Sequence, residues 1–105
     1  MQHKPFDFST TEILDWELKN IEDALLREEI GISEHAAFAA KDDGLLLVEL
    51  LEAILVGTPV SKDLPNNALG RKAGINFEHR IRDKRWIRVK VAWTRGYAII
   101  TAYVI

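Results

Sequence analysis

The chain has 105 residues, 48% of them apolar and 29% charged, with no cysteine and a formal net charge of −2. That length holds one domain with a real core, and the missing cysteines exclude a disulfide framework, a thiolate zinc site and a thiol nucleophile. The near-neutral sum conceals a split: residues 1–65 carry 14 acidic and 5 basic side chains, a net of −9, whereas residues 66–105 carry 2 acidic and 9 basic, a net of +7. A partner would therefore meet faces of opposite sign, and binding of nucleic acid stays open.

No apolar run approaches the roughly 18 residues that span a bilayer; the longest lie at 45–48 and 98–105. The opening MQHKPFDFST has no basic segment followed by an apolar one. The expectation is a cytoplasmic protein without membrane contact.

Ser9 and Glu12 have the spacing of a capping box, which predicts a helix over about 10–29 that stops before Gly31. Leu14, Leu18, Ile21 and Leu25 recur on one helical face, widened by Ile13 and Trp16. Glu12, Asp15, Glu17, Lys19, Glu22 and Asp23 are assigned to its outer face. Residues 29–33 suit a short extended segment. Ser33 then caps a second helix through Ala36, Ala37, Ala39 and Ala40, with Phe38 as its large apolar group. Gly44 suits the left-handed residue that closes it. A third helix carries Leu47, Leu50, Leu51, Ile54 and Leu55 on its apolar face and stops at Gly57 and Pro59.

After Pro59 the period changes to two. Residues 59–64 read as a short strand, bounded by Pro65, Asn66 and Asn67. From about Ile75, Phe77 and Ile81 alternate with Glu78, Arg80 and Arg82, and Asp83-Lys84 turns the chain. Ile87, Val89, Val91 and Trp93 alternate with Trp86, Arg88, Lys90 and Ala92, a half-buried strand. Gly96 serves the next turn, and residues 97–105, apolar on both faces, read as a central strand. Helices first and an antiparallel meander last give an α+β fold, its N-terminal helices packed on one face of a mostly antiparallel C-terminal sheet.

The run Ser33-Glu34-His35-Ala36, followed by Gly44, Leu50, Leu51, Ile54, Gly57 and Val60, resembles the opening of the small bacterial domains grouped as DUF4258, related to the BrnT and RelE toxins. Those domains begin with a short strand, a Ser-x-His-Ala helix start, a glycine turn and a leucine-rich helix that exits into the sheet. The ending RWIRVKVAWTRGYAIITAYVI, with Ile99-Ile100-Thr101-Ala102-Tyr103, resembles their closing hairpin. The resemblance covers about residues 30–105 of a single domain and leaves 1–29 as an additional acidic helix. It implies a RelE-like sheet and a small toxin-type domain acting on RNA as a metal-independent endoribonuclease, held by an antitoxin-like partner. In it Thr101 and Tyr103 are site-proximal.

Such cleavage needs a base for the 2′-hydroxyl, an acid for the leaving oxygen and cations for the phosphorane. His35, at a helix start, is the leading base or acid. Arg88 supplies a bidentate cation, with Thr101 and Tyr103, which by period two share a face with Tyr97, as hydroxyl groups. Arg80, Arg82 and Lys90 form the expected RNA-binding patch with Arg88, and Trp86 would stack on a base. Arg71, Lys72, Lys84, Arg85 and Arg95 fall in expected loops. His79 reads as a partly buried sheet histidine and His3 as tail. No metal-ligand spacing, glycine-rich phosphate loop or nucleophile elbow occurs, so no metal or cofactor is expected. Two other functions stay open. One is a non-catalytic module that binds nucleic acid or a protein, the other self-association into a homo-oligomer through the oppositely charged faces. The additional helix either masks the basic sheet or extends the core.

Overall fold

The first helix begins later than its capping signal. Ser9 directs its amide and its hydroxyl to the Asp7 carboxylate, and Thr10 Oγ1 accepts from the Glu12 amide, so both side chains shape a loop. The helix starts where Glu17 Oε1 accepts the Leu14 amide at 2.8 Å, three residues back. That is the reciprocal half of a capping box, made five residues further on than the S-x-x-E pattern predicts.

The computed structural model describes residues 4–66 and 72–105; His3, Asn67 and Arg71 lie outside the described residues. The elements run α1 (Asp15–Leu26), β1 (Gly31–Ile32), α2 (Glu34–Asp42), α3 (Leu47–Val56), β2 (Thr58–Asp63), β3 (Gly74–Arg80), β4 (Trp86–Trp93) and β5 (Tyr97–Val104). The α2 cap is the predicted one: Ser33 Oγ accepts the Ala36 amide at 3.1 Å. Gly44, at φ +70°, leaves that helix through the left-handed region.

The sheet order is β1-β5-β4-β3-β2, with β1 parallel to β5 and every other pair antiparallel. α3 lies across β3 and β4, α2 against β5 and α1 against α3. This is the expected α+β layering. The last strand, β5, is interior as expected, paired with β4 on one side and with the two-residue β1 on the other, while β4 is the middle strand of the five.

One core runs through all the layers. It joins Phe6, Ile21 and Ala24 to Ala36, Ala40, Leu50, Ala53 and Ile54 and to Ile75, Phe77, Ile87, Val89, Val91, Ile99 and Ala102. α1 is thus a layer of the core and sits on the helical side; it does not cover the Arg88 and Lys90 face. Its amphipathic assignment needs one correction. Glu17, expected on the outer face, is fully buried, and its carboxylate lies 3.0 Å from the equally buried Lys62 Nζ of β2. In α3, Leu47 and Leu55 were expected in the core but are about half exposed, and Ala53 takes the buried place beside Leu50 and Ile54. Phe38 likewise points to solvent.

A bulge resets β5. Lys90 pairs with Thr101 and Val91 with Ile99, so Ile100 has no opposite number. An extra residue inverts the alternation beyond it. Tyr97 and Ile99 face the core, while Thr101 and Tyr103 face the other way, beside Lys90 and Arg88. The strict period-two assignment of Tyr97 to the face of Thr101 and Tyr103 is therefore overturned.

Candidate nucleic-acid interface on the open sheet face

Alternation along β4 sends Ile87, Val89 and Val91 into the core and turns Trp86, Arg88 and Lys90 outward. Register then selects their neighbours. On β3, Arg80 lies opposite Trp86, Glu78 opposite Arg88 and Asn76 opposite Lys90. On β5, Tyr103 lies opposite Arg88 and Thr101 opposite Lys90. Ser61 of β2 pairs with Asn76. A cleft of about 340 Å³ on this face is lined by Ser61, Asp63, Asn76, Arg88, Lys90, Thr101 and Tyr103. A second, of about 310 Å³, is lined by Ser33, His35, Lys72, Lys90, Ile100 and Thr101. Lys90 and Thr101 line both, so the two clefts adjoin.

Four of the expected site residues, Arg88, Lys90, Thr101 and Tyr103, thus meet in one cleft, and His35 stands in the neighbouring one. His35 is the second residue of α2 and is exposed. Its place follows from the Ser33 cap and from the parallel pairing of β1 with β5, which carries the start of α2 to the Thr101 end of the face. Trp86 and Arg80 lie at the far end of the same face, both exposed.

The face is not the bare positive surface that the sequence suggested. Arg88 Nε donates to Glu78 Oε2 at 3.1 Å. A hydrogen bond with the Tyr103 side chain is the largest influence on Arg88 and raises its pKa further, with Glu78 acting in the same direction, so the guanidinium stays charged. Lys90 is 7% exposed; its Nζ lies 2.8 Å from Asp63 Oδ2 and also donates to the Lys72 carbonyl. Asn76 Nδ2 donates to Asp63 Oδ2 at 2.9 Å and to Ser61 Oγ at 3.0 Å. Each central cation therefore has a carboxylate partner, Glu78 on the adjacent β3 for Arg88 and Asp63 on β2, one strand further away, for Lys90.

Arg82 does not belong to this face. β3 ends at Arg80, and Arg82 stands in the following turn, where it lines a groove beside Leu25 and α3. The expected patch of Arg80, Arg82, Arg88 and Lys90 reduces to three residues. His79 lies on the helical side, half-buried, with Nε2 3.9 Å from Glu52 Oε1, in keeping with a sheet histidine. Asp43 is used by the fold: its Oδ2 accepts the Val104 amide and its carbonyl accepts from Arg85 Nη1. Among the described residues no three His, Asp or Glu side chains cluster as a metal site would, and no helix is long and apolar enough to cross a membrane.

Pattern in the sequence did not point to Ser61, Asp63, Asn76 and Lys72 as lining residues, nor to Glu78 as the partner of Arg88. Glu78 carried a signal, since it alternates with Phe77 in step with Arg80. Asp63 carried none, because β2 pairs with β3 across an irregularity between Pro59 and Ser61.

Fold and face together define a small α+β domain whose sheet is helix-covered on one side and presents a polar, charge-balanced cleft on the other. Searches of protein-family models, curated proteins and solved structures find no match to this chain.

Proposed function

We propose that the open face receives RNA and that the chain is a small metal-independent endoribonuclease of the RelE/BrnT type, with residues 30–105 as its DUF4258-like core. One observation carries this reading: Arg88, Thr101 and Tyr103 share a cleft whose Lys90–Thr101 wall is also the wall of the cleft bearing His35. The reaction class comes from the resemblance, and the residues come from the face.

In this reading the His35 imidazole takes the proton of a 2′-hydroxyl. The 2′-oxygen bonds to the adjacent phosphorus, and the bond to the 5′-oxygen breaks. Tyr103, held beside Arg88, hands a proton to that leaving oxygen and recovers one from water, and the hydroxide so formed takes the proton that His35 had accepted, which resets both groups. The product ends are a 2′,3′-cyclic phosphate and a 5′-hydroxyl. Arg88 meets the charge that develops on the phosphoryl oxygens, and Thr101 fixes one of them by its hydroxyl. Arg80 meets a flanking phosphate, and Trp86 offers its exposed ring to a base.

The test is cleavage of total RNA with a chelator present. Wild type is expected to cut, and His35→Ala and Arg88→Ala to lose about 10²–10⁴-fold in rate. Equal cutting by all three, or none by wild type, defeats the reading. A second reading, RNA binding without chemistry, rests on the exposed Trp86 and Arg80 at one end of the face. It expects a salt-steep affinity that Arg88→Ala weakens and His35→Ala leaves alone. An antitoxin-like protein that occupies the same face would protect Trp86 from solvent.

A further inference from the structure

The helical side carries a feature that the open face does not use. Alternation around α3 buries Leu50, Ala53 and Ile54. Val48 remains 63% exposed and Leu55 49%, with the half-buried Leu51 between them. These three stand at i, i+3 and i+7, the spacing of a seam that pairs one helix with another. They line a groove of about 490 Å³ whose floor is completed by Leu25 and Leu46. Its rim carries both signs: Glu49 and Glu52 from α3, and Arg82 from the turn after β3. Among the described residues Arg82 has no ion pair within 4.0 Å.

Two observations identify the occupant. The first is charge. A groove lined by an acidic pair from its helix and by a cation from the turn after β3 carries both signs and can complement a second copy of itself. An isologous contact, in which each copy offers the same patch, can set such a cation against the acidic pair of the other copy. The second is area. Leu46, Leu47, Val48, Leu55 and Val56 are each 49–64% exposed. At on the order of 150 Å² per side chain the groove-lining Leu46, Val48 and Leu55 present roughly 250 Å² of apolar surface, and Leu47 and Val56, next to them in sequence, bring the exposed apolar surface of α3 and its cap to roughly 400–500 Å², near the apolar share of about 800 Å² per partner in a standard interface.

We propose that this chain forms a twofold dimer by antiparallel pairing of α3 with α3 along Val48, Leu51 and Leu55, locked at the rim by Arg82 against the acidic pair of the second copy. The dimer leaves both open sheet faces outward, because the groove and the Arg88 cleft lie on opposite sides of the sheet. It is also distinct from association through the acidic and basic halves of the chain, since its seam is apolar.

The experiment is sedimentation of the full chain from about 1 µM to about 500 µM, a range that covers micromolar dissociation constants, at low and high salt. Wild type is expected to be a dimer that persists at high salt. Val48→Glu and Leu55→Glu, each at an exposed position, are expected to keep the far-ultraviolet circular dichroism of wild type and to weaken the dimer at least tenfold. Arg82→Glu should weaken it, and Arg82→Glu with Glu52→Arg should restore it. Because the chain has no cysteine, Leu51→Cys at the middle of the seam should give a covalent dimer with a short bismaleimide, and Trp86→Cys on the other side of the sheet should not. A monomer at every concentration overturns the proposal. So does a dimer that dissociates in high salt, or one that both glutamate variants leave intact. Failure of Leu51→Cys to cross-link would place the contact elsewhere and overturn it as well.

Discussion

Replacing Lys62 by methionine should cost more stability than any surface change in this chain. The side chains of Lys62 and Glu17 are both fully buried. The Glu17 carboxylate accepts four hydrogen bonds: from the Asp7 amide at 2.9 Å, from the Leu14 amide at 2.8 Å and from Lys62 Nζ to each oxygen at 3.0 Å. Lys62 Nζ donates once more, to the Asp7 carbonyl at 2.8 Å. One ion pair thus ties the segment before α1, the first turn of α1 and β2 together. Lys62→Met removes the only buried cation facing that carboxylate among the described residues and leaves its charge in a dry site. Breaking such a pair costs about 3–5 kcal/mol, against a total of roughly 5–15 kcal/mol for a domain. With a urea slope of about 1–3 kcal/mol per molar, the midpoint should fall by roughly 1–5 M. The double variant Glu17→Leu with Lys62→Met should recover part of that loss, because no charge is then stranded. It should stay below wild type, since the Asp7 and Leu14 amides lose their acceptor, a penalty of about 1–3 kcal/mol for each one left buried and unsatisfied. Equilibrium urea unfolding of the four proteins gives the coupling directly. A cost below about 1 kcal/mol for Lys62→Met, or a double variant no more stable than the worse single one, would refute the reasoning.

Three further outcomes are expected. Burial pushes the Tyr97 phenol up to about 12, and its hydroxyl donates to the Pro5 carbonyl at 3.0 Å; the folded state therefore holds its proton longer than the unfolded chain, whose tyrosine titrates near 10. That stability is complete below about pH 10 and falls by roughly 2–3 kcal/mol as pH rises toward 12, and Tyr97→Phe should flatten the decline in urea titrations taken across that range. Ser33→Ala removes the α2 cap and should cost about 0.5–2 kcal/mol in thermal unfolding, with a loss of any His35-dependent cleavage larger than the loss of fold. At Gly57 an added Cβ would stand 2.2 Å from the Ala53 carbonyl oxygen and 2.9 Å from that of Glu78, so Gly57→Ala should destabilise by about 1–3 kcal/mol through a forced backbone shift; a melting temperature equal to wild type would show that α3 can move away from β3 freely.

Much of the architecture was legible from local pattern. Period two over residues 86–93 is the observed β4, and the Ser33 cap and the Gly44 stop bound the observed α2 to within a residue or two. These features are legible because each rests on neighbours in sequence: a side chain capping an amide three residues on, or apolar groups recurring with the pitch of the backbone. The first cap was misplaced for a related reason. Ser9 has the right chemistry, but the Asp7 carboxylate lies closer and takes its hydroxyl. The sequence pattern located part of the candidate face but not its charge: Arg82 leaves it for a helix groove. Arg88, Lys90, Thr101 and Tyr103 do meet, whereas Glu78 and Asp63 come from other strands and cancel the surface that the basic half of the chain seemed to promise.

The sequence by itself determined that helices precede a meander, that β4 has one apolar and one polar face, and that the acidic and basic residues are segregated along the chain. Only the tertiary structure decided where those charges end up. It turned Glu17 inward to meet Lys62 across 45 positions, inverted the end of β5 at Ile100 so that Tyr103 joined Arg88, and sent Arg82 to a helix groove instead of the sheet face. The reason is that hydrophobic period is a property of one segment, while the partner of a charge depends on the register between segments. A single bulge or turn residue changes that register without altering the composition of either strand.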